Sequence, residues 1–250
     1  MAKKKQQYRL YDAFAPFYDQ YWGDWYLDDC REGLAELVLP RIPAGGRVLD
    51  LCCGTGQLAR WLTACGFEVT GLDGSEEMLA HARRNAPKAS FVCADARLFA
   101  FEEPFDAVLS TFDSVNHFAT LEDVGTVFEN VARALEPGGV FVFDVNTQAG
   151  FLDAADESYI TEEGGPVCVV RSTYDVKTGV GLSKVTGFLQ EGELWRRVDF
   201  EIPEYHYALK DLKAALRAAG FRPAETLDAV EDFGMPRAHG RVFLVTEKRG

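Results

Sequence analysis

Hydrophobic positions along the chain follow two rhythms in turn. Val48, Leu49 and Leu51 form a short apolar run, too brief for a helix and suited to a buried parallel strand. Gly54 and Gly56 follow, and residues 57–65 then carry Leu58, Trp61 and Leu62 on one helical face closed by Gly66. Residues 68–72 read as a second strand ended by Asp73. Ser75 is placed to cap the next helix, with Glu76 and Glu77 in its first turn, Arg83 and Arg84 near its end and Pro87 as its stop. Strands are expected at 90–93, 105–110 and 140–145, the last apolar nearly throughout except at Asp144. Between the last two, Thr120 and Asp123 look like a capping box, followed by a face of Leu121, Val124, Val127, Phe128, Val131 and Leu135. Strand and helix alternate, which predicts a parallel sheet covered on both faces.

After Gly164 the period shortens to two. Residues 167–176, 180–189 and 194–202 read as three strands of an antiparallel meander, entered through an acidic, irregular stretch at 151–163. A helix at 209–219 and strands at 222–227 and 241–246 complete the chain, and no helix separates those strands, so they are expected to pair antiparallel. Before the first strand, residues 8–25 are densely aromatic, with a helical surface expected to break near Pro16. A further helix is expected at 28–39 and a loop at 40–46. The fold class is a Rossmann-like, doubly wound, mostly parallel seven-stranded α/β sheet with an inserted antiparallel meander. The expected divisions are an aromatic cap at 1–33, a core at 34–150, an insert at 151–205 and a completion of the core at 206–250.

A strand, a glycine turn and a helix form the place where such sheets bind nucleotide-like ligands. GTGQLA at 54–59 fits the loose dinucleotide pattern and leaves an NAD-dependent oxidoreductase open. Asp50, four residues before the first glycine, points elsewhere: D-x-x-x-G-x-G resembles motif I of the class I S-adenosylmethionine (SAM) methyltransferases. Asp73, Ala94-Asp95-Ala96 and Leu135-Glu136-Pro137-Gly138-Gly139 follow in the order and place of that family's later landmarks. Tyr11-Asp12-x-x-Ala15-x-x-Tyr18-Asp19 resembles the opening of many small-molecule members. Thr111 to His117, TFDSVNH, resembles the D-S-x-N-x loop of amino-sugar and other small-amine N-methyltransferases with an antiparallel lid.

The resemblance implies SAM as cofactor and S-adenosylhomocysteine as product. It implies that Asp50, Cys52, Gly54 and Gly56 border the amino-acid end. Asp73 with Gly74 would take the ribose, and Met78, Asp95 and Ala96 the adenine side. Ser110, Thr111, Phe112 and Asp113 would lie beside the methionine part. Tyr11, Tyr18, Tyr21 and Trp22 would lid the cofactor; the aromatic stripe alone fits equally an amphipathic helix docked on the sheet. His117 is a candidate base or acceptor ligand, or a histidine satisfied at a helix start. His206 is a second acceptor-side candidate, or a plain edge-strand residue. His81 is expected on the surface, and no metal site is expected.

Composition narrows the partners. Asp plus Glu number 39 against 26 Lys plus Arg, a formal charge of −13. A field of that sign opposes nucleic acid and anionic membranes. Lys3-Lys4-Lys5 is a short basic run with no apolar segment behind it, and nothing approaches a membrane span. The six cysteines show no metal spacing, and buried free thiols in a reducing cytoplasm are expected. The function expected is methyl transfer to a small-molecule acceptor at nitrogen, by a monomer or homodimer. A SAM-binding protein without transferase activity is the alternative.

Overall fold

The computed structural model describes residues 8–162 and 164–250; Lys3, Lys4 and Lys5 lie outside them. β1 (Arg47–Leu51) pairs in parallel with β2 (Glu68–Asp73) and β4 (Phe105–Ser110), and β2 with β3 (Ser90–Cys93). β5 (Leu135–Asn146) runs parallel to β4. β10 (Glu225–Asp228) and β11 (Arg241–Glu247) pair antiparallel, and β11 lies antiparallel on β5. The order is β10-β11-β5-β4-β1-β2-β3, which is the expected seven-stranded, mostly parallel sheet. Val48, Leu49 and Leu51 are buried because helices cover both faces. On one side Phe128, Phe141, Phe143, Leu212 and Phe221 form the core; on the other Leu27, Leu34, Leu58, Leu62 and Phe243 do.

The helices are α1 (Arg9–Tyr21), α2 (Gly23–Gly33), α3 (Gln57–Ala64), α4 (Glu76–Asn85), α5 (Leu121–Ala134), α6 (Gln148–Asp153) and α7 (Leu209–Ala218). Ser75 Oγ accepts from Met78 N at 3.2 Å and Thr120 Oγ1 from Asp123 N at 3.1 Å, so both caps form. The second sheet holds β6 (Ser158–Thr161), β7 (Val167–Asp175), β8 (Val180–Glu191) and β9 (Leu194–Tyr205), antiparallel in chain order.

Several expectations need correction. α1 runs through Pro16 and breaks instead at Trp22. Proline fixes φ at a helical value, and the lost hydrogen bond is offset by burying Ala15 and Phe17 completely. The Phe17 ring lies on Gly187 of β8, where any Cβ would collide with it. The helix expected from Asp28 begins at Gly23 and turns into a π-helical stretch at Leu34–Val38. The meander has four strands, not three: β6 and α6 occupy the stretch read as irregular, too short and too acidic to show a period. β5 starts at Leu135 rather than Val140, because the Pro137–Gly139 turn is accommodated as a register shift between Phe105 and Ala107. β10 starts at Glu225, after Pro223, which has no N–H to give a ladder. All six cysteines are free, but only Cys30, Cys53 and Cys168 are buried. Cys65 caps α3 and Cys93 lies on the edge strand β3, so both are exposed. His81 is not a surface residue; its Nδ1 sits 2.6 Å from Asp19 Oδ2 of α1, half-buried. Among the described residues no helix is long and apolar enough to cross a membrane.

Candidate active site

The turn after β1 is built to bring backbone close to something. Cys52, Gly54 and Gly56 all have positive φ, at 61°, 51° and 84°. A Cβ on Gly56 would come 2.9 Å from Ala82 of α4, so only glycine fits there. Asp73, at the end of β2, gives one carboxylate oxygen to each of two backbone amides: Oδ2 accepts from Gly54 N at 3.0 Å, Oδ1 from Ser75 N at 2.9 Å. The Gly74 amide also bonds this carboxylate, whose four lone-pair sites are therefore not all taken. Asp50 lies buried behind the turn, and its Oδ2 has no hydrogen-bond partner among the described residues. Burial, with the Asp73 charge beside it, pushes its carboxyl up to about 8.

α1 lies across the carboxyl ends of these strands. Asp12 accepts from Ser75 Oγ at 2.6 Å, and Asp19 accepts from Asn85 Nδ2 at 2.6 Å and Gln57 Nε2 at 3.2 Å. The Tyr18 ring covers Gly54, and Tyr8 covers Gly74 so closely that a Cβ there would fall inside its ring. The Tyr8 phenol also bonds Asp95, whose carboxyl is held by Arg97 at 2.7 and 2.9 Å. Burial pushes the Asp95 pKa up, but those Arg97 bonds outweigh it and leave it low. Ala96 is buried, its carbonyl accepting from Asn130 Nδ2 at 3.1 Å, and Met78 is buried on α4. The lid residues divide. Tyr11 and Tyr18 face the strand ends, whereas Tyr21 and Trp22 stand against the second sheet, Tyr21 bonding the Pro166 carbonyl and Trp22 packing 6.4 Å from Tyr159.

The turn after β4 is strained on purpose-built supports. Ser110 is buried and Thr111 half-buried, then Phe112 and Asp113 take φ of 61° and 48°, two consecutive non-glycine residues in the left-handed region. Asp113 N donates to Asp144 Oδ2 at 3.0 Å. The Phe112 ring stacks on Tyr26 at 4.1 Å, and the Arg241 guanidinium lies 5.5 Å from the Phe112 centroid. Arg241 bonds Asp144 and reaches Asp113 Oδ1 at 2.8 Å. Asn116, fully buried, donates to Asn146 O at 3.2 Å and Tyr205 O at 2.9 Å and accepts from Asn146 N at 2.9 Å. One side chain thus ties the β4 turn, the end of β5 and the end of β9 together.

These elements wall a cavity of about 710 Å3 between the main sheet and the second one. Tyr18, Tyr21 and Trp22 line one side, Phe112, Asp113 and His117 the floor, and Glu204 and Arg241 the inner end. His117 packs edge-on to Tyr11 at 5.7 Å, and its Nε2 is 3.8 Å from Asp113 Oδ2. Burial pushes the imidazole pKa down against the pull of Asp113. Burial and then the Asp113 charge push Glu204 well up, while Arg241 and His117 outweigh burial at Asp113 and hold it low. Asp113, His117 and Glu204 offer ligand atoms within 4.8 Å of one another, a span for a divalent ion, but the Arg241 guanidinium already places a cation there. His206 is not brought to the cavity; its ring meets Phe151 at 6.5 Å.

Glu204, Arg241 and Tyr8 carried no sequence signal that pointed to the site, while Asn116 stood inside the 111–117 motif without a role assigned to it. Asp144 did carry one: it is the one charge in the apolar run of β5. Arg241 stands 97 residues from the aspartate it neutralises, so no local pattern joins them.

The Methyltransferase domain family matches residues 48–139. A putative methyltransferase of Bacillus subtilis is 28% identical over 96% of this chain and 97% of its own. The dTDP-3-amino-3,4,6-trideoxy-alpha-D-glucopyranose N,N-dimethyltransferase of Streptomyces venezuelae is 40% identical over a shorter stretch, 44% of this chain and 47% of its own. The solved structure of an SAM-bound amino pentose methyltransferase from Micromonospora echinaspora superposes with a TM-score of 0.69 at 25% identity, covering 93% of this chain and 94% of that one. The 27-O-demethylrifamycin SV methyltransferase of Amycolatopsis mediterranei is 34% identical over 94% of this chain and 87% of its own. The motifs, the sheet order and these relatives agree, and the chain belongs to the SAM-dependent methyltransferases.

Proposed function

We propose that the protein methylates the nitrogen of a small-molecule amine held in the 710 Å3 cavity. The observation that carries this reading is the cavity's inner end, where Asp113, Asp144 and Glu204 face a single guanidinium and a neutral imidazole. That excess of carboxyl groups suits a cation better than an alcohol. The 40%-identical stretch shared with an aminosugar N,N-dimethyltransferase supports it.

The residues beside the glycine turn fit SAM. Asp73 has lone-pair capacity left for a ribose diol, and Gly54 and Gly56 leave the backbone open to close approach. The unpartnered Asp50 Oδ2 suits the cationic amino-acid end together with Cys52, Ser110 and Thr111. Asp95 and Ala96 would meet the adenine, with Gly74 and Met78 beside it. When bound, SAM supplies an electrophilic methyl on a sulfonium. The chain's own contribution is alignment and dryness: α1 covers the strand ends, and Tyr11 and Tyr18 exclude water over the glycine turn. His117, kept neutral by burial, orients the acceptor nitrogen from the floor of the cavity.

We place the enzyme in the cytoplasm, as a monomer or homodimer whose other partner is the small-molecule acceptor. The chain divides functionally into a cap at 1–33, a cofactor core at 34–150, an acceptor-side insert at 151–205 and a completion of the core at 206–250. Incubation with SAM and matched amino and hydroxy sugar nucleotides tests the reading. Methyl transfer to the amine alone supports it; cofactor binding without transfer to any acceptor would leave a SAM-binding protein.

A further inference from the structure

We propose that Glu204 and Asp113 share one proton at the inner end of the cavity, and that Glu204 receives the proton of a cationic amine acceptor. This rests on the amine reading above and assigns it a residue. Glu204 comes from β9, near the end of the second sheet, and its register is fixed: Asn116 takes the carbonyl of the next residue, Tyr205, at 2.9 Å. Its carboxyl bonds Asp113 and Asn146. Asp113 is clamped by Arg241 at 2.8 Å and stays ionised.

The groups facing Glu204 come from five other elements. Asp113 and His117 stand on the β4 turn, Asn146 on β5, Arg241 on β11, Tyr11 on α1 and Tyr159 on β6. Arg241 is the sole cation of the cluster, paired with Asp113 at 2.8 Å and bonded to Asp144. Three carboxyl groups thus meet one guanidinium in a buried setting, which a bound monocation balances better than a neutral hydroxyl. Burial and the Asp113 carboxylate are what hold the Glu204 proton in the empty site.

As an ammonium enters, its charge displaces that proton to solvent. The ammonium N–H bond then breaks with its electron pair left on nitrogen, an O–H bond forms on Glu204, and the nitrogen lone pair is free for the methyl. The methylated product leaves as its own ammonium, and Glu204 keeps the proton it received, which restores the resting pair.

The test compares wild type with Glu204→Gln, using dTDP-3-amino-3,4,6-trideoxy-α-D-glucopyranose as the acceptor and calorimetry to verify that SAM binding is kept. Turnover at pH 7 should fall about a hundredfold. The acid limb of the rate profile should move up to the pKa of the free amine, so that the loss shrinks as pH rises. Without any acceptor, the infrared difference spectrum of the two proteins at neutral pH should show a protonated-carboxyl band of the wild type alone. A missing band, or a Gln variant slowed equally at every pH, overturns the role of Glu204 while leaving nitrogen methylation standing. Transfer only to the hydroxy sugar overturns both. Activity abolished by EDTA and restored by Mg2+ overturns the shared proton, since an ion would then hold these carboxyls.

Discussion

Asp73 holds the glycine turn with both oxygens, so its loss would affect the turn and the proposed ribose contact together. Asp73→Ala should weaken SAM binding by about 1.5–3 kcal/mol, the range for hydrogen bonds to a charged group. Titration calorimetry on the folded variant measures it, and unchanged affinity would remove Asp73 from the site. His117 is assigned the acceptor, not the proton. His117→Ala should raise KM for the amine roughly tenfold, the worth of one hydrogen bond, with the acid limb of the pH profile left in place. Disappearance of that limb would make His117 the base and demote Glu204. Asp50 makes a prediction about stability. Its native pKa, pushed up to about 8 by burial and then by Asp73, lies above its unfolded value. The native state therefore binds the extra proton, and stability is fully present below about pH 4 and lost as pH rises through about 8, at up to ~1.4 kcal/mol per pH unit. Asp50→Asn removes that titration. Urea unfolding at pH 5 and pH 9 should show the wild type losing ground to the variant with rising pH; parallel curves would mean the carboxyl is ionised throughout.

Between elements, the Asn116 staple matters most. It satisfies groups on β5 and β9 that nothing else in the described hydrogen bonding reaches at those atoms. Asn116→Ala should cost about 3 kcal/mol, because buried partners are left unsatisfied. It should also impair acceptor turnover more than SAM binding, since Glu204 follows β9. Equal loss of both would show a staple that serves the core alone. The inner strands β1, β4 and β5 were legible because each carries a short apolar run, and Ser75 and Thr120 announce their helices. The aromatic stripe of α1 was legible too, but not its path through Pro16, which depends on the bed that Gly187 makes for Phe17. β6 was hidden because four residues in an acidic stretch carry no period. Asp73 ends β2 beside the glycine turn, as the apolar run and its spacing to Gly54 and Gly56 predict. On the acceptor side, the joining of Asp113 to Arg241 and Glu204 depends on chain crossovers of many residues, which no local pattern encodes.

At the scale of the whole molecule, two sheets face each other across the 710 Å3 cavity, and α1 touches both. It is tied to α4, which covers the main sheet, through Asp12 and Asp19 and to the second sheet through Phe17. The net charge of −13 gives the molecule a field that favours cationic over anionic small molecules in solution. The central claim is that the transferred methyl goes to an amine nitrogen. Its most direct measurement is the site of the label after turnover with methyl-13C SAM and a sugar nucleotide carrying both a free amine and free hydroxyls, read by carbon–proton NMR of the product. The methyl should appear on nitrogen, with the hydroxyls untouched. A label on oxygen, with the amine unchanged, would contradict it.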